Sequence, residues 1–238
     1  MHARASEDIE VTATRQAVLA AALPHVVFDG WSDATLAQAV EDSGSNPAVA
    51  RVAFPRGGID LALAFHHARD AELAAELAEA ELAGMRFRDK VAYAIMRRLE
   101  LVAREREEVR RAAALFALPH HAPDAARALW HTADTIWNAL GDSSQDFNWY
   151  TKRATLSAVY SASVLYWLGD ETSDFSATRE FVGRRIDNVM QFEEVKARLR
   201  KNPLASALMR GPMRILDRVK PPADTAPPDL PGSLRREC

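Results

Sequence analysis

The sequence predicts an all-α protein, and three observations carry that. Apolar residues recur at the helical period along most of the 238 residues. No segment shows convincing strand alternation, and Gly, Pro and Ser punctuate the chain at intervals suited to helix ends. A hydrophobic content of 48% with 26% charged residues fits an ordinary globular chain with a sizeable core.

The first periodic segment covers residues 12–29, where Val18, Leu19, Ala22, Val26 and Val27 recur at helical spacing and Pro24 is a possible kink. Residues 1–11 carry no apolar pattern and are expected to be disordered. Gly30-Trp31-Ser32 ends the helix, and Ser32 is a suitable N-cap for a second over Ala34–Asp42. After the turn Ser43-Gly44-Ser45-Asn46, Pro47 suits the first position of a short helix, Ala48–Phe54. Phe54-Pro55-Arg56-Gly57-Gly58 breaks the chain, and a long alanine-rich helix follows from Asp60 to about Gly84.

Phe87, Val91, Ile95, Leu99, Val102 and Val109 define the stripe of one long helix reaching about Leu118, with Arg104–Glu108 as its solvated face. A loop at Pro119–Pro123 precedes a helix over Ala125–Leu140. The central stretch, Asp146–Gly169, has no charged residue between Arg153 and Asp170. Leu156, Val159, Tyr160, Ser163 and Trp167 share one arc of it, the signature of a buried helix. Its mixture of small residues and large aromatics suits either close helix packing or an apolar ligand lodged between helices. Asp174 is the expected cap of a last periodic helix running through Met190.

From Lys196 to Lys220 the chain turns basic. On a wheel, Leu204, Leu208, Met209, Ile215, Leu216 and Val219 occupy an apolar arc of about 140°, opposite Arg210, Arg214 and Arg218. Such a helix can lie in a membrane interface or form a dimer or domain contact, and Gly211-Pro212 is expected to kink it. Five prolines in residues 221–238 point to a disordered tail. The expected organisation is thus a helix-turn-helix-like part over 12–67, a helical bundle over 68–195, a basic amphipathic helix over 196–220, and the tail.

Several functions are disfavoured. The net charge of −3 gives no global pull toward nucleic acid. Cys238 is the only cysteine, which fits a reducing compartment. The start of the chain reads as neither a signal nor a transit peptide, and no run is expected to span a bilayer. The expected location is cytoplasmic, with peripheral association with the inner membrane. The paired carboxylate and His pattern of di-metal bundles is missing. His66 and Asp70, four apart, read as an ordinary surface contact. No catalytic, metal or cofactor constellation emerges, so a non-enzyme is expected.

Residues 32–67 have the layout of a helix-turn-helix. The order Thr35-Leu36, Gly44, Phe54-Pro55 resembles the N-terminal part of tetracycline-repressor-type (TetR) regulators. From Trp31 to Asp60, however, Arg51 and Arg56 face Asp33, Glu41, Asp42 and Asp60. That balance is wrong for phosphate neutralisation, and Asn46–Ala53 offers few groups that read base edges. The expectation is a degenerate helix-turn-helix that binds no nucleic acid. A ligand-responsive TetR-type transcription regulator is the alternative.

Three segments carry a second resemblance: Asp146-Phe147-Asn148-Trp149-Tyr150-Thr151-Lys152-Arg153, Phe54-Pro55-Arg56-Gly57 and Arg184-Arg185-Ile186-Asp187. They are similar to the coenzyme Q (ubiquinone) biosynthesis accessory family, the ninth of the Coq proteins, over about residues 12–220. The resemblance implies a TetR-like dimeric bundle that binds isoprenoid lipids or ubiquinone intermediates and helps present them to a demethoxyubiquinone-type hydroxylase. It implies a partner-binding patch of Trp149, Tyr150 and Arg153, supported by Asp146, with Ile136 on the preceding helix. Tyr150 is the better candidate for exposure, because Trp149 extrapolates onto the core arc. The implied lipid pocket takes Leu156, Tyr160, Ser163, Val164 and Trp167, and the implied membrane contact is the Leu204–Val219 helix.

Overall fold

The computed structural model describes the backbone of residues 2–142 and 147–201, and the side chains of 8–142 and 149–189. Among these the fold is all-α. The helices are α1 (His2–Asp29), α2 (Asp33–Asp42), α3 (Pro47–Ala53), α4 (Gly58–Glu79), α5 (Phe87–Leu101), α6 (Arg106–Phe116), α7 (Ala122–Ala139), α8 (Phe147–Trp167) and α9 (Ser176–Lys201). Asp146 and the whole of Leu204–Val219 lie outside the described residues, as does the Pro-rich tail.

Helix α1 starts at His2, so the expected disordered N-terminus is helical instead. Residues such as Ala3, Arg4, Ala5 and Glu7 favour a helix even where no apolar face demands one. Farther along, Val18, Ala22 and Val26 are wholly buried. Within α1, Asp8–Asp29 is long and apolar enough to cross a membrane by length and composition, contrary to the expectation that no run would be. Its buried face packs on α2, α3 and α6, so the segment has a place in the bundle.

The α1–α4 unit is held by short polar bridges. Ser32 caps α2 by accepting the Thr35 N–H, and Asn46 caps α3 by accepting the Ala48 N–H. Arg15 donates to the Ala53 carbonyl at 2.8 Å and stands over Phe54. The Phe54–Gly58 break is a close-approach turn. Gly57 has φ +68°, in the region that favours glycine, and a Cβ on Gly58 would lie 2.4 Å from the Trp31 carbonyl oxygen. Asp33 accepts the Gly58 N–H, while Arg56 binds Asp60 and reaches across to Asp124 on α7. The motif therefore joins the N-terminal unit to the bundle.

The long helix expected over 87–118 is two helices. α5 ends at Leu101, a 3-10 turn covers Ala103–Glu105, and α6 begins at Arg106. Its charge run is also not a solvated face. Glu105 pairs with Arg69, Glu108 is buried, and the Glu108 carbonyl accepts the Trp31 indole N–H at 3.0 Å. Arg106 donates to the carbonyls of Trp167 and Asp170 and lies over the Trp167 ring. Two of these tertiary bonds fall on carbonyls at and just beyond the C-terminal end of α8, which lack intrahelical partners.

The cap of α9 differs as well. Asp174 and Phe175 both have φ of 53° in the preceding turn, and Asp170 does the work assigned to Asp174. Its buried carboxylate accepts the N–H groups of Thr172 and Thr178 and both their hydroxyls. Burial alone would raise the Asp170 pKa, but these bonds hold it well below the usual carboxylate range. Helix α9 continues past Met190 to Lys201, so the backbone has no break at residue 195.

Candidate functional site

Helix α8 packs on α7, α9 and α5, and its two faces do different things. Leu156, Ser163 and Trp167 turn into the packed core, with Trp167 and Ser163 wholly buried and the Ser163 hydroxyl bonded to the Val159 carbonyl. The adjoining face, Tyr160, Ser161, Val164 and Leu165, borders a cavity of about 280 Å³. Of the five expected pocket residues, Tyr160 and Val164 line this cavity, while Leu156, Ser163 and Trp167 do not. The strongest hydrophobic arc marks the best-packed face, and a void opens one step around the helix, where small residues alternate with large ones.

The cavity walls come from α4 to α8: Phe65 and His66, Arg98 and Leu99, Val109 and Phe116, Ala128 and Leu129, and the α8 face. They are mostly apolar. Leu165 is 64% exposed and marks the mouth. Leu99 and Tyr160 are buried and mark the floor.

The floor is polar and organised by Asp70, which is fully buried on α4. One carboxylate oxygen accepts Arg98 Nε at 2.8 Å and the other meets His131 Nδ1 at 2.8 Å, while the Thr132 hydroxyl lies 3.0 Å from both. Arg98 also donates to the His66 carbonyl, and His66 Nε2 lies 3.0 Å from the Ala128 carbonyl and 2.8 Å from the Thr132 hydroxyl. Thus the His66–Asp70 pair expected at the surface sits inside. Burial opposes ionisation of Asp70, but the His131 hydrogen bond and then the neighbouring His66 and Arg98 outweigh it, leaving its pKa at about 2. Burial lowers His66 to about 4, against the pull of Asp70. The hydrogen bond to Asp70 raises His131, and burial pushes the Tyr160 phenol up to about 12.

His67, Asp70 and His131 bring ligand atoms within 4.8 Å of one another. The Asp70 oxygens are already engaged by the Arg98, His131 and Thr132 side chains, which makes the cluster a structural network.

A second constellation lies at the start of α8. Trp149 and Tyr150 are both half-buried, in edge contact at 4.8 Å, and Trp130 of α7 joins them at 5.7 and 6.2 Å. Arg153 does not face solvent. It is 1% exposed, stacks under Trp149 at 4.0 Å, and binds Asp134, Asp142 and Asn138. Ile136 is wholly buried and presents no surface. The resulting patch is Trp130, Trp149 and Tyr150 on an arginine staple. Trp130 was missed because it falls off the apolar stripe of α7, and a large aromatic off the stripe was the available signal.

The helix-turn-helix offers little to DNA. Asn46 is used as a cap, Val52 is 66% exposed in the last turn of α3, and Arg56 is bound to two carboxylates.

Comparison with known proteins places this architecture. The chain is similar to a TetR transcriptional regulator from Nitrosomonas europaea ATCC 19718, with a TM-score of 0.57 and 18% identity over 73% of this chain and 95% of that one. That likeness shows the fold alone. It is 33% identical over 192 residues to the ubiquinone biosynthesis protein COQ9, mitochondrial, of Drosophila melanogaster, covering 79% of this chain and 59% of the relative. With the Homo sapiens protein of the same name it shares 30% over 203 residues, covering 82% and 63%. The chain thus spans about three-fifths of the length of these relatives. The COQ9 family profile matches residues 122–193, that is α7, α8 and most of α9. Residues 122–193 thus match the COQ9 family profile within a chain of TetR-like all-α fold, and this is the family that the Asp146–Arg153 run resembles.

Proposed function

We propose that this chain is a non-catalytic lipid-binding accessory protein of ubiquinone biosynthesis, which takes up an isoprenoid or quinone intermediate and hands it to a membrane-associated hydroxylase. The apolar cavity between α4 and α8 carries this reading. The COQ9 relatives, named for ubiquinone biosynthesis and as mitochondrial, support the pathway in this reading. The physical need is one of solubility: a polyprenyl tail prefers the bilayer, and burying it costs nothing only where the receiving wall is also apolar. The Leu204–Val219 segment, apolar on one arc and arginine-rich on the other, is suited to hold the protein at the anionic surface from which the lipid is taken. A homodimer, implied by the resemblance, is read directly by light scattering.

Vesicles doped with a short-tailed benzoquinone test both parts. Wild-type protein should bind the vesicles and remove the quinone. Ala113→Phe, which fills the cavity wall, should still bind vesicles while extraction falls more than tenfold. Leu208→Asp/Ile215→Asp should lose vesicle binding but still bind the quinone dispersed in detergent. Undiminished extraction by Ala113→Phe would remove the cavity from the function.

The Trp130, Trp149 and Tyr150 patch is our proposed hydroxylase contact, because half-exposed aromatics on a rigid base make effective binding hot spots. Tyr150→Ala should weaken association with the hydroxylase at least tenfold without changing the thermal midpoint. Unchanged affinity would exclude the patch.

The regulator alternative gains nothing from the structure's N-terminal unit, where Arg51 is the one basic side chain of α3. Binding of random duplex at low salt would revive it.

A further inference from the structure

Two donors at the floor of the cavity have no partner. Arg98 uses Nε on Asp70 and Nη2 on the His66 carbonyl, but Nη1 has no hydrogen bond among the described residues, although the residue is only 2% exposed. The Tyr160 hydroxyl likewise has none, and Tyr160 is 3% exposed. Both residues line the cavity. Donors that border a cavity with no protein partner can be satisfied by an acceptor lodged in it.

Resting on the lipid-binding reading above, we infer that Arg98 and Tyr160 form a headgroup subsite for a neutral oxygen acceptor, a quinone carbonyl or ring oxygen at the end of an isoprenoid, which enters head first. Charge decides against a prenyl diphosphate. Arg98 is offset by Asp70 at 2.8 Å, and among the described residues no second permanent cation lines the cavity. A diphosphate would bring several uncompensated negative charges into a closed apolar site, which is prohibitive. One or two neutral acceptors match two free donors. Tyr160 keeps its proton, and so its donor role, throughout the working pH range.

Size and polarity set the orientation. The polar groups sit at the floor, with Phe65 and Leu99 beside them, whereas the mouth at Leu165 and Ala117 is apolar. About 280 Å³ is just below the usual range for ligand pockets of roughly 300–1,000 Å³. It has room for a substituted ring and the first part of a tail, and the rest of a long chain must leave past Leu165. A ring held this way is sheltered from solvent and from any enzyme until it is released. The bound form is therefore a carried form, and transfer to the hydroxylase requires the ring to leave Arg98.

Calorimetric titration of the full chain with three probes tests this: a benzoquinone bearing one isoprene unit, a hydrocarbon of matching length, and a prenyl diphosphate. Wild type should bind the quinone most tightly and the diphosphate weakest. Tyr160→Phe should weaken quinone binding roughly threefold to tenfold, the effect of one neutral hydrogen bond, and leave the hydrocarbon unchanged. Arg98→Lys, which keeps a charge for Asp70, should act in the same direction. The infrared carbonyl stretch of the bound quinone should shift downward in wild type and recover in Tyr160→Phe. Equal losses for quinone and hydrocarbon, or no loss for either, overturn the subsite while leaving the lipid pocket standing. Failure of wild type to bind either the quinone or the hydrocarbon overturns the pocket as well.

Discussion

Asp70→Ala is expected to destabilise the protein by about 3–5 kcal/mol, the cost of stranding a buried charge by deleting its partner. Asp70 is fully buried, and its carboxylate joins α4 to α5 through Arg98 and to α7 through His131 and Thr132. Removing it leaves the Arg98 guanidinium, 2% exposed, without a counter-charge. Urea unfolding at pH 7 measures the loss. The double variant Asp70→Ala/Arg98→Met should regain a substantial part of it, because with both charges gone only packing is perturbed. A loss below about 1 kcal/mol for the single variant would mean that Asp70 does not hold these helices together.

Acid should act through His66 before it acts on any carboxylate. Folded His66 titrates at about 4, against 6.5 when unfolded. Between those values the unfolded chain binds a proton that the folded chain does not, so stability falls with falling pH. The loss begins below pH 6.5, is complete near pH 4, and amounts to about 3 kcal/mol. His67, lowered mainly by burial and then by His131, adds in the same direction. Asp70 follows: depressed to about 2 from 3.8, its contribution is present above 3.8 and disappears as the pH approaches 2. His131 runs the other way. Its folded value is raised by Asp70, so its contribution is complete below 6.5 and is lost as the pH climbs through that raised value. The groups facing His66 are thus Asp70, Arg98 and His67, with Thr132 and the Ala128 carbonyl as hydrogen-bond partners. Unfolding free energies from urea titration at pH 7 and pH 4.5 should differ by about 2–3 kcal/mol in wild type, and much less in His66→Gln. Equal free energies in wild type would contradict the buried neutral histidine.

Local signals were legible in the sequence, and distant pairings were not. Ser32 and Pro47 marked helix starts because capping depends on residues one to three apart. The Leu156–Trp167 arc marked the buried face of α8 because burial on a helix is periodic. The α5–α6 break was hidden, since the apolar spacing runs through Val102 to Val109, and the Arg106 contacts to Trp167 and Asp170 beside it are long-range. The Asp70 network joins residues 28 and 61 positions apart, and a single i, i+4 pair on α4 gives no hint that it is buried. For the same reason only Tyr160 and Val164 of the five expected residues reach the cavity: hydrophobic periodicity finds the face that packs, not the face that borders a void. Arg153 was expected on the surface because it is charged and neighbours Tyr150, but four polar partners and Trp149 cover it.

The most direct test of the proposed role is mass spectrometry of the organic extract of purified protein, with the Ala113→Phe variant beside it. A stoichiometric isoprenoid or quinone-like species in wild type, absent from the variant, is the expected result. Only trace or unselected membrane phospholipid in both would contradict it.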